Sequence, residues 1–268
     1  MSQSSSREVV AGTPGLFQLV VFVLDGSASM TWEGTSGKRK ADEVKDAVDS
    51  TIEFFKSQTD PNLKAAARSI LVQMIAFSSD QQTKVILDDF TAIGEVDTDE
   101  IKPPTDYWNP PDGTCIHGAL SLAQEETTKF VQAKSLDINR LQRPTILLLT
   151  DGCENFDQNR LLEIAEELKA KKWYLAVVQY GKVGETGPDS DEAQVCPEVL
   201  KSLATSIEGP DYDRLKKKMD KYFKSTEEEI SKVFLHRKLY TEALDEKAAR
   251  IFFIGGTTIS YLSGSKGV

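Results

Sequence analysis

Two apolar runs in this sequence end on an aspartate, Phe22-Val-Leu24-Asp25 and Leu147-Leu-Leu-Thr150-Asp151. Behind the first lie Gly26-Ser27-Ala28-Ser29, so hydroxyls recur at the second and fourth positions after the carboxylate. A loop tip can turn all three side chains inward. The donors are hard oxygens, with no thiolate or imidazole in the pattern, and they select magnesium, manganese or calcium over zinc or copper. Two carboxylates and a few hydroxyls are few for a calcium cage of six to eight ligands. Magnesium suits them better, because it keeps waters and accepts a group from a partner. The competing reading is that Asp25 and the serines only cap the loop or helix that follows. One such cluster favours the cap; two, at the ends of two strands, favour a cation.

The elements that must position these residues follow from hydrophobic periodicity. Leu19 to Leu24 is a buried strand by length and β-branching. A polar loop, Thr31 to Lys40, leads to a helix whose apolar or small face is Val44, Ala47, Val48, Thr51, Ile52 and Phe55. Ser69 to Phe77 and Lys84 to Phe90 read as strands joined by a short turn, which implies a hairpin and one antiparallel edge. The stretch from Asp97 to Asp112 holds four prolines and no period, so it is a loop. A helix through Ile116, Ala119, Leu120, Ala123 and Phe130 follows, then the strand Thr145 to Leu149. A helix through Leu161, Ile164, Ala165 and Leu168 leads to the strand Tyr174 to Val178, and Glu198 to Ser206 is a short helix. From Asp211 a helical pattern runs over two segments, with a capping box at Ser225 and Glu228. The alternation predicts an α/β fold with a doubly wound, Rossmann-like, mostly parallel sheet of order 3-2-1-4-5-6, one antiparallel edge strand and helices on both faces. Ligands of such sheets bind beyond the carboxyl ends of the strands, where strand order reverses.

The 268 residues carry 42 acidic and 32 basic side chains, a formal charge of −10. That balance excludes nucleic acid and anionic membrane surfaces as general partners. The length fits one large domain, divided here into a polar segment 1–15, a domain over 16–235 and a C-terminal helical and strand appendage, 236–268. The run at Leu19 lacks a basic n-region or a small-residue cleavage site, and Ile251 to Leu262 is too short and too interrupted to span a bilayer. The expected location is cytoplasmic. Cys115, Cys153 and Cys196 are odd in number and far apart, which disfavours a disulfide framework; Cys115 and Cys153 read as small buried fillers more readily than as a redox pair. His117 reads as a packing or capping residue and His236 as a surface one. Trp32, Tyr107 and Trp108 fall in loops near the expected rim. Gly34-Thr-Ser-Gly37-Lys38 has the wrong spacing for a phosphate loop.

Asp25-Gly-Ser27-Ala-Ser29 resembles the D-x-S-x-S motif of von Willebrand factor type A domains. Asp112-Gly-Thr114-Cys-Ile-His-Gly-Ala119-Leu120 is similar to the second element of that family, and Thr150-Asp151-Gly152 to its third. All three occur in the family order and each in a strand-loop-helix setting, over roughly residues 17–234. The resemblance implies a metal-ion-dependent adhesion site. Ser27, Ser29 and Thr114 would supply hydroxyl ligands, Asp25 and Asp151 would bind directly or through water, and Mg²⁺ or Mn²⁺ would be held in preference to Ca²⁺. A sixth position would accept an Asp or Glu carboxylate of a protein partner. Without a signal peptide or paired cysteines, the chain resembles intracellular prokaryotic members, such as those associated with tellurite resistance. The family's last strand has no clear counterpart at Ser206 to Asp211, where only Ile207 is apolar, and Ile251 to Ile254 is a candidate for its place.

Three functions are weighed. A non-enzymatic, metal-dependent interaction module, acting as a scaffold or regulatory subunit, accounts for the hydroxyl and carboxylate set without a general base. A structural subunit with a vestigial site is the second. A phosphohydrolase with Asp25 as nucleophile is the third, but it needs a second acid two positions on, and that residue is Ser27.

Overall fold

Leu19 to Leu24 sends alternate side chains to opposite faces of a sheet, as a strand must. Val20, Phe22 and Leu24 join one apolar cluster and Leu19, Val21 and Val23 another. This is β1 (Gln18–Asp25), and all eight of its residues are buried, the pattern of a strand covered on both faces. The computed structural model describes residues 17–59, 61–134, 141–152, 154–181, 197–207, 238–243 and 246–263, together with 209, 212, 213, 215–217 and 220. The segment 1–15, Cys153, Cys196, His236, the capping box at Ser225 and most of the helical pattern after Asp211 lie outside them.

Beside β1 run β2 (Ile70–Phe77) and β5 (Thr145–Thr150), both parallel to it. β6 (Tyr174–Tyr180) pairs in parallel with β5. Two short strands, β3 (Thr83–Val85) and β4 (Thr91–Ala92), pair antiparallel with different stretches of β2. With a last strand, β7 (Tyr240–Ala243), the sheet order is β3-β2-β1-β5-β6-β7, with β4 also on β2, so the expected doubly wound topology with its antiparallel edge is present. The edge differs in detail. Lys84 to Phe90 is no continuous strand, because the chain bends through Ile86 to Asp89 before pairing again.

One face of the sheet carries α1 (Lys40–Lys56) and α2 (Pro61–Ser69), the other α3 (Ile116–Ala133), α4 (Gln158–Ala170) and α5 (Pro197–Leu203). The buried stripe of α1 includes Val44, Ala47, Val48, Thr51, Ile52 and Phe55, the predicted face. Asp42 and Glu43 in its first turn and Lys56 in its last complement the helix dipole. α4 is capped by Asp157, whose carboxylate accepts the Arg160 N–H at 2.9 Å.

The described residues of the C-terminal stretch, 238–243 and 246–263, pair with the sheet and pack on it. Tyr240–Ala243 forms β7, parallel to β6, and Glu246–Ser263 forms α6, which packs on α1, β5 and β6. Phe252, Phe253 and Ile254 are buried in the same cluster as Phe22, and the Phe22 and Phe253 rings meet edge to face at 5.5 Å. Ile251 to Ile254 is therefore helix, and the strand sought after Ser206 is supplied by Tyr240–Ala243. That strand is short, with three of four residues buried, so it carries little periodic signal. Among the described residues, no helix is long and apolar enough to cross a membrane.

Candidate metal centre

β1 and β5 lie side by side, and each ends at its aspartate where strand order reverses. Asp25, Ser27, Ser29, Thr114 and Asp151 are all buried, none more than 6% exposed. Backbone hydrogen bonds gather the loops that carry them. The Gly26 N–H donates to the Phe77 carbonyl (2.7 Å), the Ala28 N–H to the Asp112 carbonyl (2.8 Å) and the Cys115 N–H to the Ser78 carbonyl (2.7 Å). Ser78 Oγ also accepts the Asp112 N–H at 2.9 Å, so the end of β2 fixes the loop that presents Thr114. Gly26 has to be glycine. A Cβ there would stand 2.5 Å from the Pro104 carbonyl oxygen and 2.8 Å from the Trp108 indole nitrogen. That indole nitrogen is buried without an acceptor among the described residues.

Four of the five predicted side chains form a connected polar chain. Asp25 Oδ1 accepts the Ser27 N–H at 2.8 Å, Ser27 Oγ and Ser29 Oγ are 3.2 Å apart, and Ser29 Oγ donates to Asp151 Oδ1 at 2.6 Å. Thr114 comes from the third loop to lie beside Gly152, the residue after Asp151: a Cβ on Gly152 would stand 3.0 Å from Thr114 Oγ1. The Thr114 N–H donates to Asn155 Oδ1 at 2.7 Å and the Asn155 N–H to the Thr114 carbonyl at 3.0 Å, which ties this loop to the one after β5. Hydroxyl and carboxylate oxygens from three loops thus converge. Their hard donors fit a divalent cation that prefers oxygen.

Several participants were not legible in sequence. Thr150 donates its hydroxyl to Asp25 Oδ2 and accepts the Gly152 N–H at 3.1 Å. Lys40 donates to Asp151 Oδ2 at 3.0 Å, in an ion pair whose side chains are 3% and 0% exposed. Thr31 to Lys40 explains how that ammonium arrives. The loop closes through the Gly34 N–H on the Lys38 carbonyl (2.7 Å) and the Lys40 N–H on the Trp32 carbonyl (2.9 Å). Buried Glu43 accepts the Ser36 N–H at 2.7 Å and the Tyr180 hydroxyl, so the loop is seated on the end of β6. The Lys40 ammonium also lies 5.2 Å from the centre of the Trp32 ring. The aspartate of the first strand feels the opposite environment. Burial, then the nearby Asp151 charge, push the Asp25 carboxyl up to about 7, against the hydrogen bonds from Thr150 and Ser27.

His117 does not join the oxygen chain; its ring faces Glu154 (3.2 Å) and Cys115 (3.7 Å). Of the rim aromatics, Tyr107 accepts the Lys102 N–H at 3.0 Å and lies under Lys84, while Trp108 covers Gly26. These aromatics serve loop packing.

The sequence pattern of the von Willebrand factor type A domain matches residues 20–154. No curated protein sequence matches the chain. Among solved structures, proximal thread matrix protein 1 from the mussel byssus is similar at 15% identity and a TM-score of 0.55, with 91% of this chain and 49% of that chain covered. A structure of the same mussel protein described as having a zinc-occupied MIDAS (metal-ion-dependent adhesion site) motif is similar at 16% identity and a TM-score of 0.54, covering 91% and 48%. The pilus adhesin SpaC from Lactobacillus rhamnosus GG is similar at 13% identity and a TM-score of 0.55, covering 92% of this chain and 31% of that one. The chain therefore spans about half the length of the mussel protein and a smaller share of the adhesin. At these identities the likeness is one of fold.

Proposed function

Because this chain belongs to the von Willebrand factor type A domain family, we propose that it is a non-enzymatic module that captures a protein partner through a divalent ion. Domains of this family commonly mediate metal-dependent protein interactions. Ser27, Ser29 and Thr114 hold the ion with their hydroxyls, and Asp25 and Asp151 hold it directly or through water. Bound there, Mg²⁺ or Mn²⁺ supplies an oriented Lewis acid with an open position for an Asp or Glu carboxylate of the partner. The observation that carries this reading is the unbroken polar chain from Asp25 through Ser27 and Ser29 to Asp151, which joins two adjacent strand ends. Thr150 orients Asp25 through its second oxygen, while Lys40 holds Asp151 in a buried ion pair. The partner works with this chain in an intracellular prokaryotic complex, where the module is a scaffold or regulatory subunit. Neither a hydrolytic role nor another catalytic one is part of the proposal, since Ser27 stands where a phosphohydrolase needs its general acid.

One observation favours a second reading, a structural subunit with a vestigial site: Lys40 already neutralises one of the two carboxylates. Calorimetry separates the two. The interaction module binds Mg²⁺ or Mn²⁺, and Asp25→Ala abolishes both the binding heat and metal-dependent capture of a partner. Absence of metal binding at millimolar concentration supports the structural subunit instead, and metal-dependent capture that survives Asp25→Ala overturns the assigned ligands.

A further inference from the structure

A second cluster of ligating groups lies at the N-terminus of α3, and its chemistry differs from that of the oxygen site. Cys115 Sγ, His117 Nδ1 and a Glu154 carboxylate oxygen all lie within 4.8 Å of one another. Sγ is 3.7 Å from Nδ1, and Nδ1 is 3.2 Å from Glu154 Oε2. A tetrahedral ion with bonds of about 2.3 Å to sulfur and about 2.0–2.2 Å to nitrogen and oxygen holds its ligands roughly 3.4–3.6 Å apart. Two of the three edges are therefore already near the required length, and the third needs the Glu154 and Cys115 side chains to draw together by roughly 1.4 Å at most.

The ligands are also held in place. Glu154 is nearly fully buried, its side chain 1% exposed, and both carboxylate oxygens are gripped by backbone: Oε2 accepts the His117 N–H at 2.8 Å and Oε1 the Phe156 N–H at 2.9 Å. Such grips fix the direction of a metal ligand. Cys115 is the N-cap residue of α3, and its sulfur lies close to Gly118, where an added Cβ would stand 3.0 Å from it. His117 is the most exposed of the three, with 23% of its side chain open to solvent, so an ion has a way in and a place for a water.

We propose that Cys115, His117 and Glu154 form a zinc-class site with three protein ligands and one open position, distinct from the oxygen site. A thiolate and an imidazole select Zn²⁺ over Mg²⁺ and Ca²⁺, and one carboxylate is too little for either of those hard ions. Both ends of the cluster border the first site, since Cys115 follows Thr114 and Glu154 precedes Asn155, which hydrogen-bonds Thr114. An ion here clamps the start of α3 to the loop after β5 and so fixes Thr114 opposite Gly152. This inference stands independently of the function proposed above.

The test titrates the full chain with Zn²⁺, and with Co²⁺ as a coloured substitute, in excess Mg²⁺ so that the oxygen site is occupied or blocked. One equivalent is expected to bind, with the sulfur-to-cobalt charge-transfer absorption that reports a thiolate ligand. Cys115→Ser abolishes the absorption. His117→Ala, at a partly exposed position that does not threaten folding, lowers Zn²⁺ affinity by more than the roughly 10–100-fold that loss of an outer-shell partner costs. Cys153→Ser and Cys196→Ser retain the absorption. The proposal is overturned by Zn²⁺ that Mg²⁺ displaces competitively, by cobalt binding without thiolate absorption, or by unchanged affinity in both the Cys115 and His117 variants. Mg²⁺ binding by the His117 variant shows that the oxygen site stands or falls on its own.

Discussion

Lys40 is the residue that most changes the chemistry of the oxygen site. Its ammonium spends its charge on Asp151 inside a buried pair, beside a place where a divalent cation would need that same carboxylate. Removing one partner of a buried pair leaves an uncompensated charge, at a cost of about 3–5 kcal/mol. Lys40→Met is therefore expected to lower the stability of the metal-free protein by that amount in denaturant unfolding. It should also tighten Mg²⁺ binding at least ~10-fold, because a unit positive charge within a few ångströms of a divalent ion is worth several kcal/mol even at an effective dielectric of about 20. Weaker or unchanged Mg²⁺ binding in calorimetry would show that Lys40 orients Asp151 without competing for it. At the same scale, Asp25, Ser27, Ser29 and Asp151 are legible from sequence because each lies within a few residues of the end of an apolar run, and a strand end is a fixed point. What Lys40, Thr150 and Ser78 contribute to the site is not legible in this way. Their roles depend on which loops meet, and no local spacing encodes a contact between residues 40 and 151.

The C-terminal helix is the element with most to show about how the fold is closed. α6 lies along the face of the sheet shared with α1, and Gly256 brings its backbone against β5. A Cβ at Gly256 would collide with Leu147 Cδ2, in a core where neither side can retreat far. Gly256→Val is expected to destabilise by about 1–3 kcal/mol through overpacking. Phe253→Ala removes the ring that meets Phe22 and is expected to cost about 3–5 kcal/mol. Both values are read from urea or guanidinium unfolding of the full chain. A loss below about 1 kcal/mol for Phe253→Ala would mean that α6 is only loosely docked. The amphipathic pattern of α1 was readable in sequence because its buried and exposed sides separate cleanly. The stretch after Glu246 was not, since Ile251-Phe-Phe-Ile254 is apolar without interruption and serves a strand or a buried helix equally well. Its type is decided by the space left open on the sheet between α1 and β6.

Across the whole molecule, the surplus of acids has little to do with cation binding. Two of the 42 acidic residues, Asp25 and Asp151, stand in the oxygen site, and Lys40 offsets one of them. A ligand that binds only the folded state stabilises it by mass action, by about 2.7 kcal/mol at a hundredfold excess over its dissociation constant. For a chain of this size that is a rise of roughly 5–11 °C in melting temperature between chelator and saturating Mg²⁺. Asp25→Ala should remove the rise; a shift of equal size in that variant would place the ion elsewhere. The sequence by itself determined the layered α/β class, the antiparallel edge and the aspartates at two strand ends, because periodicity and strand length are local properties that survive without a partner. Only the tertiary structure decided the last strand, the seat of α6, the arrival of Lys40 at Asp151 and the meeting of Cys115, His117 and Glu154. Each of those depends on two segments far apart in the chain being brought to one place by the packing of the sheet, and hydrophobic pattern says which residues are buried without saying against what.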